Sequence, residues 1–262
     1  MSKIKKDRHQ YVSRLLKGGA LLDDMRLIVR SWSDNANNEH KAKLIIENIL
    51  GKKTRTRSAE VFQRVFAPRF LHGNPLQAWK IVRPLEERDV ALEISTPLYY
   101  WITARSDKLI YDFVTKELRE KVGAIDPIVR TDETSNWIRR MLSNQDQKWT
   151  DTALIKVARG LLAALRDFGI LEGAAIKRIA PRYLPTESFA YIAFALHQLG
   201  SSGIELQNHK DWKLFLLPQP AVERLFLDAH QMHFLRYDAA GNIVRIEFNA
   251  KTYEEMADVI SS

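Results

Sequence analysis

The chain of 262 residues contains no cysteine. That excludes a disulfide framework, a thiolate zinc site and cysteine catalysis, and it fits a reducing compartment. Long apolar runs are missing too. The longest stretch free of Asp, Glu, Lys and Arg is residues 188–204, "SFAYIAFALHQLGSSGI". It falls short of the roughly 20 apolar residues that cross a bilayer. The basic N-terminus "MSKIKKDRHQYVSRLLKGG" lacks the apolar core of a secretion signal. No Walker-type phosphate loop, nucleophile elbow or zincin helix occurs. The expectation is a cytoplasmic, non-enzymatic protein with no membrane helix, no catalytic residues, no cofactor, no metal and no small-molecule substrate.

What is present is ordinary globular composition, 45% hydrophobic and 27% charged, with a net charge of +8. Its length suits one or two domains. The charge is unevenly placed. Residues 1–90 carry 19 Lys and Arg against 10 Asp and Glu, whereas residues 91–262 carry 21 against 22. One-sided charge of this kind points to a polyanion-facing surface, most commonly for nucleic acid. No basic amphipathic helix with bulky aromatics supports a membrane surface instead.

Apolar periodicity is helical along most of the chain. Helices are predicted over 20–32, 38–50 and 58–71, with Gly51 as a left-handed stop to the second. In the third, Val61, Phe62, Val65, Phe66 and Phe70 share one face; Arg57, Glu60, Gln63 and Arg64 share the opposite one. Pro68 should kink or break it near residue 67. Asn74 as cap and Pro75 as first residue start the next helix. Helices over 86–104 and 106–121 follow, with Ser106 as the cap between them. "VGAIDPIV", 122–129, reads as a linker, dividing a basic helical domain, 1–122, from a second domain, 123–262. Helices follow over 132–143, 151–168 (capped by Thr150, ended by Gly169) and 187–199. The C-terminus reads as two short helices separated by Pro218 and Pro220, a hairpin with its turn at residues 239–242, and a last helix. That is the order of a winged helix-turn-helix. The fold class is thus mainly α, multi-helical, with helix-turn-helix elements and a small C-terminal β-hairpin wing.

Four blocks, "LLKGGALLDDMRLIV", "IIENILGKKTRTRSAEVFQRVFAPRFL", "DVALEISTPLYYWITARSDKLIYDFV" and "WTDTALIKVARGLLAALRDFGIL", resemble the BrxA-type core protein of bacterial BREX phage-defence systems. The resemblance covers residues 11–185 well and the C-terminal region more loosely. It implies a nearly all-α protein with helix-turn-helix elements and basic surfaces that bind double-stranded DNA. It also implies action beside a methyltransferase and other BREX proteins, without enzymatic activity. Two departures stand out: the cationic loop 51–57 exceeds a three- or four-residue turn, and Pro68 interrupts the helix behind it.

The segment "GKKTRTR" is the main candidate site. Lys52, Lys53, Arg55 and Arg57 replace counterions along phosphates, each contact adding a salt-dependent increment. Arg64 and Gln63 continue the outward face, where Arg suits guanine and Gln adenine. Arg14 and Lys17 are candidates to extend the patch. A solvated charged loop is the plainer reading. It is weakened by the two patterned helices around the loop and by the regional charge excess. Residues 209–262 hold six Lys and Arg against eight Asp and Glu. Protein contact is therefore favoured over DNA for the winged module, with Arg236 and Arg245 as its possible second DNA site. His230 and His233 read as a structural pair, not metal ligands. "YYW", 99–101, reads as core, not as a base-stacking platform. The expected function is backbone-directed binding of duplex DNA with low sequence specificity. A scaffold bridging other defence proteins and an RNA-binding protein are the alternatives.

Overall fold

The computed structural model describes residues 10–16, 18–33, 49–125, 127–145, 147–241 and 243–261. In chain order its helices are α1 (Leu22–Ser31), α2 (Arg55–Val61), α3 (Trp79–Glu87), α4 (Leu92–Ser106), α5 (Lys108–Asp112), α6 (Arg119–Lys121), α7 (Thr131–Ser143), α8 (Asp151–Asp167), α9 (Thr186–Gln198), α10 (Gly203–Gln207), α11 (Gln219–Gln231) and α12 (Tyr253–Ser261). Wider π-helical stretches, Phe62–Leu71 and Phe113–Leu118, continue α2 and α5, and short 3₁₀ turns cover Ser13–Leu16 and Lys210–Phe215. The strands are β1 (Ile128–Val129), β2 (Leu171–Glu172), β3 (Lys177–Ile179), β4 (Leu235–Ala240) and β5 (Ile243–Phe248). The protein is mainly helical, with two small antiparallel sheets ordered β1-β3-β2 and β4-β5. The predicted helix over 38–50 lies largely outside the described residues; among them, no helix is long and apolar enough to cross a membrane.

The chain forms two compact units, each discontinuous in sequence. The first is Met1–Trp79 with Ile102–Ala180, the second Lys80–Trp101 with Pro181–Ser262. The domain boundary expected between residues 122 and 123 falls inside the first unit. Two contacts explain why. Within the supposed linker, β1 pairs with β3, Ile128 opposite Arg178 and Val129 opposite Lys177. Farther along, α8 packs on the N-terminal 3₁₀ turn: a methyl group at Gly160 would stand 2.6 Å from the Leu15 carbonyl oxygen.

In the first unit the apolar stripe of α2 and its π-helical extension is buried as its periodicity predicts. Val61, Phe62, Val65, Phe66 and Phe70 are all 4% exposed or less. Phe62, Phe66 and Phe70 stack in sequence at 5.5 and 5.4 Å, with Trp32 against the first two. Each buried ring contributes roughly 1.5–3 kcal/mol. Pro68 does not break this helix, which runs on to Leu71. In an α-helix the proline ring would strike the carbonyl four residues back. The wider π turn moves the acceptor position one residue further and removes that clash.

Two predicted caps do not act as such. Asp107, not Ser106, caps α5: its Oδ1 accepts from the Leu109 and Ile110 amides at 3.0 and 3.5 Å. The Ser106 hydroxyl is engaged elsewhere, donating to the Arg69 carbonyl and accepting from the Asn74 amide. Asn74 therefore starts no helix. It precedes a cis peptide to Pro75, and α3 begins at Trp79. Thr150 caps α8 as expected, accepting from the Ala153 amide, and Gly169 ends it with φ +77°.

The second unit is built around α9, which is buried on all sides from Ser188 to Leu196. An apolar helix without a polar face belongs in a core. The Tyr191 hydroxyl donates to the Ile81 carbonyl at 2.7 Å, and Phe189 stacks on Trp212 at 4.5 Å. The three aromatics at 99–101 are core residues. Tyr99 donates to Glu86, Tyr100 to the Leu214 carbonyl and the Trp101 indole to Asp211. With 1% exposure or less, none presents a face to a nucleobase.

Candidate nucleic-acid interface

The cationic loop is shorter than the sequence suggests. Gly51 takes φ +58°, in the left-handed region that favours glycine. Thr54 is extended, and its hydroxyl accepts from the Arg57 amide at 3.1 Å. That cap starts α2 at Arg55, three residues before the predicted Ser58. Arg55 and Arg57 thus sit in the first helical turn, which contains no acidic residue. Cations there oppose the helix dipole, by roughly 0.3–1 kcal/mol each. Fold stability alone does not select such an arrangement.

The predicted site residues separate into three groups. Lys53, Arg55, Gln63 and Arg64 are exposed, and the three cations make no ion pair among the described residues. Lys52 and Arg57 are engaged within the protein. The Lys52 ammonium lies 2.8 Å from the carboxylate of Asp24, a buried residue on α1, and Arg57 lies 3.4 Å from Glu60. Arg14 is half-buried on the 3₁₀ turn and acts electrostatically on Arg69 and Asp107. Lys17 lies outside the described residues.

The sequence reading missed Arg69. It is 2% exposed, and its Nη1 donates to the Gly19 and Ala20 carbonyls at 3.0 and 3.3 Å. Two backbone carbonyls, of Gly19 and Ala20, are thus held by a buried guanidinium. Burial pushes the Arg69 pKa down to about 10; Asp107 opposes the shift and Arg14 adds to it. Asp107 is also buried, and burial raises its pKa against the favourable charges of Arg69 and Arg14 and the amides it caps. A signal was available. At 100° per residue, position 69 falls between Phe62 and Phe66 on one side and Val65 on the other, amid the apolar face.

On the hairpin, Arg236 pairs with Asp238 at 2.8 Å and Arg245 with Glu247 at 2.5 Å. The register sets Arg236 opposite Glu247 and Asp238 opposite Arg245. These four charges cancel as a group. His230 Nδ1 accepts from the Tyr237 amide, and His233 takes φ +61° just beyond α11. Among the described residues no group of three or more His, Asp or Glu is placed to hold a metal.

Charge follows the folded units more closely than it follows the sequence. Counted over their sequences, the first unit holds 30 Lys and Arg against 18 Asp and Glu, a net +12; the second holds 10 against 14, a net −4. The BrxA family profile matches residues 9–195. The chain belongs to the BrxA family. It is accordingly a protein of BREX phage defence. No curated protein matches the sequence. Among solved structures, this BrxA chain is similar to an uncharacterized protein from Magnetospirillum magneticum, at 14% identity and TM-score 0.60, over 78% of this chain and 97% of that one. It is also similar to SspB in a magnesium ion-bound crystal structure, at 11% identity and TM-score 0.61, over 100% and 90% of the two chains. A further SspB crystal structure matches at 11% identity and TM-score 0.59, over 99% and 89%. At such identities the likeness concerns the fold alone. This BrxA chain carries a strongly basic unit and an acidic one.

Proposed function

We propose that the chain is a non-enzymatic DNA-binding component of its BREX system, which grips double-stranded DNA through the basic first unit. It contacts mainly the phosphate backbone, with little sequence preference. The segregation of charge carries this reading: +12 on one unit and −4 on the other. A polyanion is the partner that such a field attracts. Lys53, Arg55 and Arg64 form the contact set best supported around α2, because each is exposed and free of an ion pair among the described residues. Gln63, exposed beside Arg64, is the neutral group we assign to any base-edge contact. Lys52 and Arg57 contribute less, since binding DNA would compete with their own carboxylate partners.

The second unit supports a different role. In it, α11 followed by the β4–β5 hairpin has the order of a winged module, whose arginines are already neutralised by Asp238 and Glu247. An acidic unit with a neutral wing suits contact with a protein, and a partner BREX protein such as the methyltransferase is the reading we favour there.

The test is duplex binding by the full chain across a salt series. Replacing Lys53, Arg55 and Arg64 with Ala together should reduce the slope of log K against log salt by about 2.7, at about 0.9 per lost phosphate contact. Circular dichroism should stay unchanged. Wild-type affinity and slope in the triple variant would remove this face from the interface. Stronger competition by structured RNA than by duplex DNA would reassign the partner.

A further inference from the structure

The exposed side of α8 carries two cations, Lys156 and Arg159, that make no ion pair among the described residues. Residues 152–166 contain Lys156, Arg159 and Arg166 and no Asp or Glu. The carboxylates at the two helix ends are taken: Asp151 by Arg139 at 2.8 Å, Asp167 by Arg166 at 2.7 Å. Lys156 and Arg159 are exposed and make no ion pair among the described residues. They are also like charges three residues apart, a mildly destabilising arrangement on a helix surface. A helix that needed only solubility would interleave acids with its bases.

These cations are on the same unit as the α2 face, and the Gly18–Gly19 segment meets both elements. A methyl group at Gly18 would stand 3.0 Å from Val65 Cγ2, beside Arg64. One at Gly19 would stand 3.7 Å from the Ala164 Cβ, on α8. The Leu15 carbonyl meets α8 again at Gly160, next to Arg159. The glycine pair therefore packs against buried residues of both elements, Gly18 against Val65 as well as the neighbouring Leu21, and Gly19 against Ala164. Arg69 pins this segment from beneath by its carbonyls.

We propose that α8 is a second phosphate-contacting element, with Lys156 and Arg159 extending the duplex contact of Arg64 across the Gly18–Gly19 segment. This inference rests on the DNA-binding reading above and adds to it a set of contact residues far away in sequence. Spreading contacts over two elements lengthens the backbone track gripped without adding base readout.

The experiment is fluorescence anisotropy with a random-sequence duplex and the full chain, over a salt series. It compares wild type, Lys156→Ala with Arg159→Ala, and the Lys53, Arg55, Arg64 triple Ala variant. The α8 pair should lower the slope of log K against log salt by about 1.8, with weaker binding at moderate salt and unchanged circular dichroism. Wild-type binding by the α8 pair, alongside a loss in the triple variant, would overturn the α8 surface and leave the DNA-binding reading standing. Absence of duplex binding by the wild type would overturn both.

Discussion

Arg69 is a buried cation of the first unit that ties the Gly19–Ala20 backbone to the π-helical stretch. A guanidinium that is 2% exposed and holds two backbone carbonyls cannot be removed without leaving those carbonyls unpaired and Asp107 without the larger of its two favourable charges. Breaking a buried charge arrangement by deleting one partner costs about 3–5 kcal/mol. Arg69→Met should therefore destabilise the protein by that order in urea unfolding. Asp107→Asn on the Arg69→Met background should recover some of the loss, since it removes the charge left without its larger counterpart. Strict additivity of the two changes would show that Arg69 and Asp107 are not coupled.

Among the elements, the N-terminal segment is tied to α5 by Asp112. Its carboxylate accepts from the Tyr11 hydroxyl at 2.7 Å and from the Lys108 ammonium at 2.6 Å, with Lys116 at 3.3 Å. Burial alone would raise the Asp112 pKa, but the Lys108 and Tyr11 hydrogen bonds and the two lysine charges together hold it below its ordinary value. A carboxylate with a depressed folded pKa adds stability above its unfolded pKa of about 3.9, lost as pH falls through the folded value. The stability gap between wild type and Asp112→Asn, followed by urea unfolding, should thus be constant near neutrality and shrink below about pH 4. A gap independent of pH would mean that the carboxylate's charge is not what fastens the segment.

The elements are legible in the sequence to different degrees, for physical reasons. α8 and α9 follow their apolar patterns closely because many periodic residues bear on each. The run through Pro68 reads as a kink or a break, and the chain meets it with a π-helical stretch that keeps the helix continuous to Leu71, which apolar periodicity alone does not signal. β1 has two residues, too few for alternation to register, so it reads as a linker. In the candidate site, the exposed cations are visible from the wheel of α2. The engagement of Lys52 by Asp24 is not, because it joins residues 28 positions apart in sequence.

For the whole molecule, the sequence shows a basic first third and a neutral remainder, but the folded chain sorts its charge differently. Residues 80–101 contribute to the acidic unit, while residues 102–180, including α8, join the basic one. No linear reading reveals that regrouping, because both units are discontinuous. The result is a field with opposite signs on two bodies of one chain. It suits a protein that holds a polyanion with one unit and a protein with the other. The most direct test of this account is the salt dependence of wild-type binding to random-sequence duplex DNA. With five exposed cations, Lys53, Arg55, Arg64, Lys156 and Arg159, at the phosphates, log K should fall against log salt with a slope near −4.5, at about −0.9 per contact. No binding at low salt, or binding indifferent to salt, would contradict it.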